Sequence, residues 1–175
     1  GEKSRSDRAA MNAMRCELDR LPIDGTVVIG DNSGDEKASL KSGDHVGDSK
    51  SALQFDIAVD PVEGTSFLAK GQTNAMAVMA MAPKGTLYHP GPAFYMEKFV
   101  APPIAKGKID PRATVEEKLR TLAKILDKPV SEITVFALEK PRHNELVDRI
   151  HTLGARVALY PAGDVAGALM AAIPD

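Results

Sequence analysis

The sequence predicts an α/β chain of two textures, a mixed α+β first half followed by a parallel β-α-β second half. Three observations carry this. From Ile133 onward two short apolar runs, Ile133 to Leu138 and Arg156 to Tyr160, alternate with two stretches of helical spacing, Arg142 to Leu153 and Val165 to Ala172; strands joined by crossover helices look like this. Before that point, a helical pattern gives way to buried-type strands separated by polar, glycine-rich turns. Finally, Asn74 to Ala82 is small and apolar throughout and is bounded by Gly71 and Pro83, as expected of a strand covered on both faces.

Composition limits the function classes. With 175 residues and 43% hydrophobic content the chain can form one globular domain, or one full domain and part of another. We divide it into an α+β domain over residues 1–130 and the start of a second α/β domain over 131–175. Lys and Arg (22) nearly balance Asp and Glu (24), so bulk charge argues for neither nucleic acid nor membrane, and an anionic ligand must be held locally. The single Cys16 leaves no internal disulfide and no cysteine metal cluster, which fits a reducing compartment. No apolar run approaches the ~20 residues that span a bilayer, and a cytoplasmic protein is expected. Both ends fall directly in helical patterns, so the chain reads as cut at each end.

Taken in order, Ala10, Met14 and Leu18, with Ala13 and Leu21 beside them, recur at helical spacing until Pro22. Lys3 and Asp7, four apart, share one face of that helix; read alone they are a solvated ion pair. Thr26-Val27-Val28-Ile29 is a buried-type strand ending at Gly30 and Asp31, where an Asn-Ser-Gly turn could follow. Residues 37–52 are rich in Ser, Lys, Gly and Asp and read as a mobile loop, with His45 a solvent-exposed loop residue. A turn at Lys84-Gly85 leads into Thr86-Leu87-Tyr88, and Phe94 to Val100 reads as a further strand, with Tyr95 either a ligand contact or a half-buried ring with its hydroxyl at the rim. Pro102, Pro103 and Pro111 mark a linker. Thr114 with Glu117 forms a capping-box signature for a helix through Leu126. Lys140-Pro141-Arg142 and Gly163-Asp164 stand at two strand ends, where α/β folds bind ligands; Lys140 and Arg142 at a helix start suit a phosphate, though a basic surface turn reads the same way.

The chemistry concentrates in Phe55 to Ser66. Ile57-Ala58-Val59 is a strand, Pro61 has no N–H for a ladder and is expected to end regular pairing, and Asp60 is left at the strand end. Val62-Glu63-Gly64-Thr65 then turns into a short helix start. Asp60 and Glu63 repel unless a cation lies between them, while helix-start N–H groups and a hydroxyl attract an anion. Oxygen-only ligands suit Mg²⁺ or Mn²⁺. The alternative is an acidic turn that caps a helix.

Asp60-Pro61-Val62-Glu63-Gly64-Thr65 resembles the D-P-(I/L)-(D/E)-G-T signature of the lithium-sensitive, metal-dependent sugar and inositol phosphatases. With Lys70-Gly71-Gln72-Thr73-Asn74-Ala75 it is similar to the class II fructose-1,6-bisphosphatases, including the fructose/sedoheptulose type. Ser6 to Arg15, Ile23 to Gly30, Tyr95 to Lys98, Lys140 to His143 and Gly163 to Ala166 match in the same order along the whole chain. The resemblance implies the layered α-β-α-β-α sandwich of the sugar phosphatases, here incomplete, with metal and phosphate on the first domain and the sugar and distal phosphate on the second. It implies hydrolysis of the 1-phosphate of fructose 1,6-bisphosphate in gluconeogenesis or carbon fixation, with a sugar bisphosphate as partner.

Residue by residue, the resemblance makes Asp7, Asp31, Asp60 and Glu63 the metal ligands. Thr65 and Asp35 would orient the attacking water, Lys3 would stand near the phosphate, and Glu63, Gly64 and Thr65 would cradle it. Tyr95, Lys140, Pro141, Arg142, Gly163 and Asp164 would contact the substrate. Asp31 stands where the family has Glu, Asn32-Ser33 where it has Gly-Glu, and Ala162 where it has Asp; a further metal-binding Glu of the family falls beyond Asp175. A truncated, catalytically weak paralogue that binds sugar phosphate or a full-length partner is the alternative. An incomplete sheet is expected to expose apolar faces and strand edges, and so to self-associate as a homo-oligomer or to take a missing partner.

Overall fold

A computed structural model describes the backbone of residues 2–31, 39–93 and 95–173, with side chains from residue 5 onward. Two compact units divide between Tyr95 and Met96. The break predicted at residue 130 falls elsewhere than this one. The reason lies in packing: Leu119 and Ala123 share one apolar cluster with Ile133, Ile150 and Ala155, so the helix after the proline-rich stretch groups with the elements that follow it.

The first unit sets helix α1 (Glu2–Leu18) against a four-stranded sheet of β1 (Asp24–Ile29), β2 (His45–Gly47), β3 (Gln54–Glu63) and β4 (Met76–Pro83), with the short helix α2 (Thr65–Ala69) between the last two. The strand order is β2-β1-β3-β4; β1 and β3 run parallel, and the outer pairs antiparallel. Met11 and Leu18 from α1 meet Val27, Leu40, Val46, Ile57 and Val59 in one core. The helix thus buries Met11, a larger side chain than the Ala10 and Ala13 of the expected stripe, while Ala13 is exposed.

Residues 39–52 are not the mobile loop the sequence suggests. Leu40 and Val46 are fully buried, and β2 pairs with β1. His45 sits in that strand with its Nε2 2.9 Å from Asp24 Oδ1. Burying two branched side chains repays the ordering of a polar segment.

Further strand expectations change. Pro61 does not end the pairing of β3, which continues to Glu63 across a register shift; prolines are accommodated in sheets at such bulges. β4 is an edge strand with Met79 and Met81 exposed, not covered on both faces. Thr86 to Tyr88 and Tyr95 to Val100 are irregular, not strands. The buried carboxylate Asp56 accepts the N–H groups of Gly85 (2.7 Å) and Leu87 (3.2 Å), which fixes the turn after β4 without a partner strand.

In the second unit α3 (Val115–Leu126) starts on the predicted capping box: Thr114 accepts from the Glu117 N–H, and Glu117 accepts from the Thr114 N–H. β5 (Thr134–Leu138) and β6 (Arg156–Tyr160) pair in parallel, joined by α4 (Asn144–Thr152) and followed by α5 (Asp164–Ala172). A single 3₁₀ turn, Pro141–His143, precedes α4, so the helix starts two residues later than expected. Gly167 lets α5 lie against β5: a Cβ there would stand 2.3 Å from the Phe136 ring, which stacks on Tyr160.

Candidate functional site

β3 runs into the acidic motif and then turns sharply. Asp60 pairs with Val78 and Glu63 with Met76, so three steps on β3 match two on β4. Residues i and i+3 of an uninterrupted strand point to opposite faces. Cross-strand partners share a face, and Val78 and Met76, two apart, also share one. The bulge at Pro61 and Val62 therefore brings Asp60 and Glu63 onto the same face, which alternation alone forbids. Asp60 Oδ1 accepts the Val62 N–H at 3.0 Å, which steadies the bulge. Glu63 is 9% exposed.

Gly64 follows in the left-handed region (φ 86°) and precedes α2. A Cβ there would come within 2.8 Å of Phe67 Cδ2, and Phe67 is a core side chain whose N–H bonds Gly64 O at 2.8 Å. Only glycine meets both demands. Thr65, partly buried, is thereby the first residue of α2 directly after the acids.

The other expected ligands come from neighbouring elements of the same unit. Ile29 lies opposite Ala58 in the parallel pair, so Asp31 and Asp60, each two residues on, leave the same end of adjacent strands. Asp31 is tied by an isolated antiparallel bridge to Leu40. Asp7 lies on α1, which packs against β3 and α2, and its Oδ1 is buried with no hydrogen-bond partner among the described residues. A buried carboxylate oxygen without a donor is costly, and a hard cation relieves that cost. Among the described residues no three His, Cys, Asp or Glu side chains stand close enough to hold a metal. Mg²⁺ is commonly held by one or two carboxylates plus substrate phosphate, not by an all-protein cage. The donor set and the orphaned Asp7 oxygen thus fit such an ion. Asp35 and the Lys3 side chain lie outside the described residues.

Tyr95 ends the first unit with 71% of its surface exposed, so the half-buried placement is not what is seen. In the second unit Leu138 pairs with Tyr160, which sets the two expected contact segments side by side at the carboxyl ends of parallel strands. Lys140 to Arg142 follow β5, and Gly163 (φ 89°) with Asp164 follows β6. His143 Nδ1 lies 2.8 Å from Leu138 O, and the Glu139 N–H bonds Tyr160 O at 2.7 Å, so the basic turn is fixed to both strands. Lys140 is partly buried, Pro141 and Arg142 exposed. Asp164 pairs with Lys98, a partner the sequence reading missed; sixty-six residues separate the two, and no local signal links them. A groove beside the end of α3, lined by Arg120, Lys124, Asp127 and Lys128 among others, contains none of the expected site residues.

A family model described as bacterial fructose-1,6-bisphosphatase, glpX-encoded, matches residues 1–175. The fructose-1,6-bisphosphatase 1 class 2 of Escherichia coli (strain K12) is 45% identical over 175 residues, covering 100% of this chain and 52% of that protein. The D-fructose 1,6-bisphosphatase class 2/sedoheptulose 1,7-bisphosphatase of Synechococcus elongatus is 41% identical over 180 residues, covering 97% of this chain and 52% of its own length. That of Thermosynechococcus vestitus is 40% identical over 183 residues, with 98% and 52% covered. The chain spans about half the length of the curated relatives it matches.

Proposed function

Because the chain belongs to the glpX-encoded family of bacterial fructose-1,6-bisphosphatases, we propose that it hydrolyses the 1-phosphate of fructose 1,6-bisphosphate, with sedoheptulose 1,7-bisphosphate as a second substrate. The observation that carries this is the bulge that puts Asp60 and Glu63 on one face immediately before the Gly64-Thr65 turn. Asp7, Asp31, Asp60 and Glu63 would hold Mg²⁺ or Mn²⁺, with no more than two of them on one ion and the substrate phosphate completing its shell. Such an ion supplies charge neutralisation of the phosphate and a more acidic water. The turn at Gly64 fixes where the phosphate oxygens rest, and Thr65 with Asp35 orients the water for in-line attack on phosphorus. As the P–O bond to the sugar breaks, the water's proton passes to the carboxylate side and the sugar oxygen takes one from solvent. Lys3 offsets phosphate charge. The chain contributes alignment and electrostatics more than covalent chemistry.

For the second unit the reading rests on chemistry. Lys140 and Arg142 at a helix start suit an anion, Pro141 presets the turn, and Gly163 with Asp164 can accept sugar hydroxyls, with Tyr95 as a further phenol contact. We place the protein in the cytoplasm; among the described residues no helix is long and apolar enough to cross a membrane. The exposed Met79 and Met81 on the edge strand β4 support a homo-oligomer, which sedimentation at rising concentration tests.

Phosphate release from fructose 1,6-bisphosphate with Mg²⁺ or Mn²⁺ tests the assignment: turnover that Thr65→Ala abolishes supports it. A second reading, sugar-phosphate binding without turnover, is favoured by the lack of a three-carboxylate cluster among the described residues. Tight binding in calorimetry with no phosphate released selects it.

A further inference from the structure

Asp164 is the first residue of α5 and follows a left-handed Gly163. The cap itself is Gly163, which has no side chain, and a carboxylate one position on could rest against the free N–H groups of the first turn. Its Oδ2 instead accepts from Lys98 Nζ. Lys98 belongs to an irregular stretch that is held a second time one residue later, where Lys118 Nζ stands 5.0 Å from the centroid of the Phe99 ring. The pair is open to ligand, with 53% of the Lys98 side chain and 33% of the Asp164 side chain exposed.

A lone carboxylate is a poor neighbour for a sugar bisphosphate, since like charges repel and a mobile side chain must be ordered on binding. An ammonium on Oδ2 cancels the charge, fixes the rotamer and leaves Oδ1 to accept a sugar hydroxyl. We propose that Lys98 is a positioning residue for substrate, fixing the Asp164 carboxylate so that its free oxygen can meet the sugar. The proposal rests on the reading of Gly163-Asp164 as a sugar contact.

Calorimetric titration with fructose 1,6-bisphosphate in Mg²⁺, on the wild-type chain, Lys98→Met, Lys98→Arg, Asp164→Asn and the Lys98→Met/Asp164→Asn double variant, tests it, with urea unfolding of each as a control. Lys98→Met is expected to weaken binding about three- to tenfold, Lys98→Arg to restore most of it, and Lys98→Met to change little in the Asp164→Asn background. Where turnover is measured, KM carries the loss and kcat does not. An unchanged affinity in Lys98→Met overturns the proposal, as does an equal loss in both backgrounds, which would mean that Lys98 meets the substrate itself. A wild-type chain that binds nothing overturns the site reading along with the proposal, whereas wild-type binding indifferent to Lys98 overturns the proposal alone.

Discussion

Gly64 is the residue on which the proposed phosphate turn depends. Its positive φ and its closeness to Phe67 make Gly64→Ala costly on two counts, by about 1–3 kcal/mol in urea unfolding, with phosphate release lost as well. Asp7 behaves the opposite way in the absence of metal. Removing its orphaned oxygen in Asp7→Ala is expected to leave the metal-free chain as stable or more so, while at least about 1 kcal/mol of the stabilisation given by excess Mg²⁺ disappears; thermal melts with and without Mg²⁺ check both halves. The acids themselves were legible as a motif. Their common face was not, because a three-residue spacing on a strand argues for opposite faces and no local rule announces a bulge.

At the level of elements, α3 and α4 are tied by Arg149, whose Nε and Nη2 donate to the two carboxylate oxygens of Glu116 at 2.8 and 2.6 Å. The guanidinium holds Glu116 down from its ordinary 4.5 to about 2. A folded value below the unfolded one means that the pair contributes fully above pH 4.5 and loses its contribution as pH falls towards 2. Glu116→Gln is expected to flatten that part of the acid limb in melts followed by circular dichroism from pH 5 to 2. α3, β5, β6 and α5 could be read in advance because cap, period and length agree along each. β2 could not: three residues within a run of Ser, Gly and Asp carry no alternation, and only the distant Asp24 to Thr26 gives them a partner. β4 misled for the reverse reason, since an apolar run reports what a strand could bury, not what lies beside it.

Across the molecule, each unit has its own apolar cluster, and among the described residues the stretch from Lys84 to Arg112 carries one brief 3₁₀ turn and mostly exposed side chains. Few buried contacts make such a segment the first to open. Trypsin at native pH is expected to cut first at Lys106 or Lys108, giving fragments that mass spectrometry maps one to each apolar cluster; first cuts inside β3 or α3 would contradict this. The sequence showed where the texture changes but not the boundary, because a linker's prolines do not reveal which core claims the helix beyond them.

The bulge in β3 also dictates which changes of length the acidic motif tolerates. Deleting Val62 would restore an even count against β4, so the ladder would knit more regularly and the sheet would suffer little. With the two acids then only two positions apart, both carboxylates would still share a face, now without the Val62 N–H that Asp60 accepts. Loss of one residue there thus spares the acids' common face, whereas a change that straightens the bulge at constant length would part them; exchanges of Val62 for other aliphatic side chains should pass unnoticed.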